Sequence, residues 1–185
     1  MPTSAAELLG TWQLVAWEID VGGRLVRPFG ARPIGLLSYT PDGWMQATIA
    51  TADRPGLSGP SARSSPDVEV AATARTYFSY AGRWWLRSAT DPQTHDDANV
   101  DADADVDADA DGAATPDRDV EEVCHEVVIA LDPAMVGTIQ RRRAHLADGQ
   151  LTLAAAEPVG ATTRHHRLVW QPASPTAPPT PTGTT

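Results

Sequence analysis

Gly10-Thr11-Trp12-Gln13-Leu14-Val15-Ala16-Trp17-Glu18-Ile19-Asp20 reads as a β-strand, since β-branched and aromatic residues crowd it. Arg164-His165-His166-Arg167-Leu168-Val169-Trp170 closes the chain in the same style. Between them lie short runs at residues 24–29, 34–39, 44–51, 80–87, 120–131, 138–147 and 150–154, each bounded by turn residues, with the last run at 163–171. Thr40-Pro41-Asp42-Gly43 is a tight hairpin turn, in which Pro presets one dihedral and Gly supplies a positive φ, and Asp148-Gly149 is another. Eight to ten antiparallel strands in simple sequence order predict an all-β, up-and-down barrel, because closing the sheet removes its edges. One helix interrupts the pattern. Ser65-Pro66-Asp67-Val68-Glu69 carries a capping hydroxyl, a first-turn proline and acids at the positive end of the dipole, so a helix is expected to about Tyr77. After a Pro/Gly/Ser-rich loop at 52–64, it serves either as a lid over the barrel mouth or as a plug packed into one end.

The two Trp-bearing end runs, with Gly35-Leu36-Leu37-Ser38-Tyr39-Thr40-Pro41-Asp42-Gly43-Trp44-Met45, Asp53-Arg54-Pro55, Tyr80-Ala81-Gly82-Arg83 and Gly137-Thr138-Ile139-Gln140-Arg141-Arg142, give the chain a family likeness. It resembles the bacterial and fungal lipocalin-like domain family more closely than the secreted ligand carriers. The resemblance implies a calycin-like cup in which Trp12 plugs one end and an arginine of the last strand covers its indole. Arg167 fits that role better than Arg164. The resemblance also matches Gln140 and Arg142 to a recurrent inward Gln and Arg. It names no ligand and no reaction, since a fold does not fix a function.

Length and composition give one barrel domain over residues 5–171, an insertion at 91–119 expected to be disordered, and an extended Pro/Thr-rich tail at 172–185. The formal net charge of −10 resides in the insertion, where eleven of the 24 acids accompany one base, Arg118. Elsewhere acids and bases balance, and without a basic stripe no nucleic-acid partner is expected. All 14 basic residues are arginine, which excludes a Schiff-base lysine. Cys124 is the single cysteine, so no intramolecular disulfide is possible. The first nine residues lack the charged and apolar parts of a leader, and no run approaches a membrane span, so a cytoplasmic protein without a membrane partner is expected. The composition leaves oligomeric state open.

Several residues are candidates for chemistry. Alternation along 120–131 puts Val123, His125, Val127, Ile129 and Leu131 on the apolar, inward face. His125 is then either a core histidine satisfied by a neighbour or a general acid or base with a pKa near neutrality. On the next strand Gln140, Arg142, Ala144 and Leu146 share a face taken as inward, while Arg141 and Arg143 are solvated. Buried Arg142 requires either an inward acid such as Glu18 or an anionic or carbonyl group of a ligand. Tyr39, Tyr80 and Trp84 offer flat cavity walls with hydroxyl handles, or simple core. Asp107, Asp109, Asp111 and Gly112 approach an EF-hand loop, but its twelfth position is Arg118, so no metal site is assigned. His165 and His166 point to opposite faces and cannot chelate one ion. No nucleotide-binding or nucleophile-elbow motif is present, and no cofactor is expected.

These features admit three functions. The first is binding of a small, largely apolar or amphipathic molecule bearing a polar group, in a natural-product setting, with Tyr39, Tyr80, Trp84, His125, Gln140 and Arg142 around it. The second is a cofactor-free isomerase or cyclase in which His125 moves a proton and Arg142 steadies an oxyanion. The third is a filled barrel acting as an interaction module.

Overall fold

The structure, a computed structural model, describes residues 3–88 and 121–174. It contains nine strands: β1 (Gly10–Val21), β2 (Arg24–Val26), β3 (Ile34–Tyr39), β4 (Trp44–Ala50), β5 (Tyr77–Ser88), β6 (Glu121–Ala130), β7 (Ile139–Ala147), β8 (Gln150–Val159) and β9 (Thr162–Pro172). β1 and β3 to β9 pair in sequence order, all antiparallel, and β9 returns to β1, which closes an eight-stranded up-and-down barrel. β2 is a ninth strand, folded back on the end of β1 at Ile19–Val21. The tight turns are as expected: Gly43 has φ 81°, and Asp148 and Gly149 both have positive φ, the requirement of a type I′ hairpin.

Two bulges decide which side chains face inward. The β1–β9 register slips between Leu14 and Ala16. Trp12 and Leu14 are buried on one side of the slip, and beyond it Trp17 faces the interior while Glu18 turns out to meet Arg27 and Arg167. The β5–β6 register slips opposite Ala81 and Gly82, where β6 spends an extra residue at Val128. The inward face therefore runs Val123, His125, Val127 and then Ala130, whereas Ile129 and Leu131, expected inside, are 66% and 46% exposed. Gly82 makes this bulge possible: a Cβ there would lie 1.8 Å from the Glu126 carbonyl oxygen.

The barrel is closed at one end by α1 (Ala5–Leu8), whose Leu8 is fully buried, and by Trp12, whose indole N–H donates to the Leu8 carbonyl at 2.9 Å. At the β2 end, Phe29 from the β2–β3 loop is buried and stacks on Trp17 with ring centroids 5.1 Å apart. The expected helix is α2 (Asp67–Ala74), shorter than predicted because Tyr77 already belongs to β5. It is neither plug nor cavity wall: none of its residues is buried, Val68 is 75% exposed, and none lines the interior cavity. The tail also begins later than expected, since Pro172 ends β9 and the Ala173 amide donates to the Thr11 carbonyl. The insertion at 91–119, its Asp repeat and residues 175–185 lie outside the described residues. Among the described residues no helix is long and apolar enough to cross a membrane, and no group of three or more His, Cys, Asp or Glu is placed to hold a metal.

Candidate functional site

The barrel interior holds a cavity of about 40 Å³ that is partly open to solvent. A single water needs roughly 10–15 Å³, so the cavity has space for a few waters or one compact group. Leu37, Ile49, Phe78, Leu153 and Leu168 make most of the wall apolar. Tyr80, His125, Arg142, His166, Trp17 and Trp170 are the lining residues that carry polar side-chain atoms.

His125 is the centre of the polar wall. Its strand places it inward, it is 1% exposed, and both ring nitrogens are engaged: Nε2 with the Tyr39 hydroxyl at 2.9 Å and Nδ1 with the Tyr80 hydroxyl at 2.7 Å. Burial, assisted by the Arg142 charge, lowers its pKa from 6.5 to about 3, so it is neutral at physiological pH. Of the two readings open at sequence level, a core histidine satisfied by its neighbours and a near-neutral acid or base, this burial and these two hydrogen bonds resemble the first. The two phenols are pushed the other way. Burial raises Tyr39 well above its ordinary value, with help from Tyr80, and burial raises Tyr80 while Arg142 opposes.

Arg142 lies on the wall, as its strand parity predicted, but not with the partner proposed for it. Its guanidinium donates to Gln140 Oε1 at 3.2 Å and to the Arg141 carbonyl at 2.8 Å, and it meets no carboxylate among the described residues. Glu18 is unavailable because the β1 bulge turns it outward, where Arg27 at 2.7 Å and Arg167 at 3.5 Å hold its carboxyl below the usual range. Gln140 stands behind Arg142 rather than on the wall, its own amide nitrogen donating to Thr138 Oγ1 at 2.9 Å.

The other expected residues divide. Tyr80 lines the cavity; Tyr39 and Trp84 do not. They pack on each other behind it, centroids 4.7 Å apart, with the Trp84 indole donating to the Thr40 carbonyl. Trp12 is buried as a plug would be, but neither arginine covers it. Arg167 faces out toward Glu18, Arg164 pairs with Glu157 at 3.7 Å, and in the β1–β9 ladder Trp12 stands opposite Pro172, far from both.

Trp17, His166 and Trp170 are wall residues that sequence reasoning passed over. A signal was present: His166, Leu168 and Trp170 alternate along one face of β9. At the rim, the Trp17 indole donates to His166 Nδ1 at 3.3 Å while His166 Nε2 lies 3.0 Å from the Glu157 carboxylate. Burial lowers the His166 pKa and Glu157 opposes the shift.

A family model described as a lipocalin-like domain matches residues 9–173. No curated protein matches the sequence. The closed eight-stranded barrel and a match spanning all nine strands agree: the chain belongs to the lipocalin-like domain family.

Proposed function

We propose that this barrel binds a small, largely apolar molecule bearing one polar group. The carrying observation is a wall that is apolar over most of its area and concentrates its polar atoms around Tyr80, His125 and Arg142. Apolar enclosure with a few placed polar groups is the usual composition of a small-molecule site. Arg142 without a carboxylate partner adds weight, because a partly buried guanidinium left unpaired is costly unless something else meets it. The closed core limits the occupant to a compact molecule or to the head of a longer one passing the Phe29–Trp17 stack.

The enzyme reading draws less support. A buried histidine whose pKa is lowered to about 3 is a weak base, and both its nitrogens are already hydrogen-bonded to the protein. The filled-barrel reading draws on the small size of the cavity, which has room for only a few waters, and is opposed by the polar groups gathered on its wall. The test is native mass spectrometry of protein purified without denaturant, followed by extraction and identification of any bound compound. A stoichiometric small molecule, lost on Arg142→Gln, is the expected result. A ligand-free protein that fails to take up any member of a small-molecule library defeats the proposal.

A further inference from the structure

We infer that the polar end of the cavity reads a ligand group that only accepts hydrogen bonds and carries negative charge, a carboxylate in its compact form, and that Trp170 and Tyr80 join Arg142 in reading it. This rests on the ligand-binding proposal above and adds the chemical class of the head group.

A census of donors and acceptors on the wall carries the inference. Trp170 is 1% exposed, and its indole nitrogen is buried without a hydrogen-bond partner among the described residues. An indole N–H can only donate, and leaving it orphaned costs about 1–3 kcal/mol. Trp170 lines the cavity with other atoms while this nitrogen is sealed beneath its surface, so the cost would be removed only by an acceptor that seats deep enough to displace its neighbours and reach the indole N–H.

Tyr80 becomes a second donor through the logic of the imidazole. Neutral His125 has one N–H and one lone pair, so of the two phenols touching it one must donate and the other must accept. Tyr39 does not line the cavity and has no hydrogen-bond partner besides His125 among the described residues, so its proton belongs on His125 Nε2. The reverse arrangement would strand that proton inside the protein at a cost of about 1–3 kcal/mol. His125 Nδ1–H then donates to the Tyr80 oxygen, and the Tyr80 O–H is left for an acceptor in the cavity that Tyr80 lines. His125 is thus a positioning residue that sets the direction of the Tyr80 hydroxyl.

Arg142 is the third donor and, among the described residues, the one full charge on the wall, with no Asp or Glu beside it there. The side-chain acceptors are spoken for. His166 Nδ1 takes the Trp17 N–H, its Nε2 faces Glu157, and Gln140 Oε1 takes Arg142. A ligand that brings its own donor, an alcohol or an amide, would find no free side-chain acceptor here. A carboxylate brings only acceptors and the charge opposite to Arg142.

The experiment compares probes of matched skeleton and different head group, small enough for the cavity: acetate with acetamide and ethanol, and propionate with propionamide, titrated calorimetrically into the full-length protein at pH 7 and low salt. The carboxylates are expected to bind at least about tenfold tighter than the amides, the scale of one charge-assisted hydrogen bond. Trp170→Phe, which removes the N–H and keeps an aromatic ring, and Arg142→Gln should each erode that preference by about threefold or more while leaving amide affinity nearly unchanged. Amides or alcohols binding as tightly as the acids would overturn the inference and leave the ligand-binding proposal standing. Absence of binding by every probe would overturn both. The wild-type comparison decides the matter by itself should either variant fold poorly.

Discussion

Acid should destabilise this barrel well before its carboxylates titrate, and His125 is the reason. In the unfolded chain the imidazole binds a proton with a pKa near 6.5; in the folded chain burial and Arg142 lower that to about 3. The unfolded state therefore binds more protons throughout the interval between these values. Stability is intact above about pH 6.5 and falls as pH drops toward 3. Integrating from pH 7 to pH 5 gives a loss of about 2 kcal/mol from this residue, and continuing to pH 3 gives about 4–5 kcal/mol. The upper interval separates the histidine from the acids. Glu7, Glu18 and Glu69 have pKa values below the ordinary 4.5, so what they contribute is lost mainly at lower pH. His166 shifts in the same direction as His125 and adds to the slope, so urea unfolding at pH 7 and pH 5 must be run on wild type and on His125→Gln. The difference between their pH dependences should be about 2 kcal/mol. Histidine-selective NMR should also find one imidazole still neutral at pH 5. A folded-state imidazole at position 125 that titrates above pH 6, or a difference under about 0.5 kcal/mol, would refute the buried neutral assignment and the hydrogen-bond directions built on it.

Trp12→Ala should cost about 3–5 kcal/mol in denaturant unfolding, the range for truncating a buried Trp; under about 1 kcal/mol would remove Trp12 from the core. Gly82→Ala should cost at least about 2 kcal/mol, because its Cβ would strike the Glu126 backbone, while Gly56→Ala, with no atom within 4 Å, should be near neutral; equal effects would show that the β6 bulge is not where the register puts it. Deleting residues 96–112 removes eight Asp and no Arg, shifting the formal net charge from −10 to −2. We expect the melting temperature to move by only a few degrees, because β5 and β6 already pair at Ser88 and Glu121 and loop closure depends weakly on length; collapse of the fold would give the segment a structural role.

What the sequence disclosed and what it withheld have one physical cause, the local or non-local origin of each feature. Strand runs, the Pro-Asp-Gly and Asp-Gly turns and the helix start depend on neighbouring residues, and they were legible. Parity was legible only as far as the first bulge. Counting by twos from Trp12 and Leu14 puts Glu18 inside, where it would neutralise Arg142; the slip at Val15 turns it out and leaves Arg142 facing the cavity without an acid. Counting by twos from His125 puts Ile129 and Leu131 inside; the slip at Val128 sends both to the surface. Gly82, an isolated glycine within a strand-like run, was the one local mark of that second bulge, since a glycine there signals close backbone approach. No such mark accompanies Val15. The bulge matters more than its single residue implies: with Glu18 inside, Arg142 would be a structural ion pair, and with Glu18 outside, it lines the cavity with no carboxylate beside it among the described residues, the arrangement on which the proposed carboxylate binding rests.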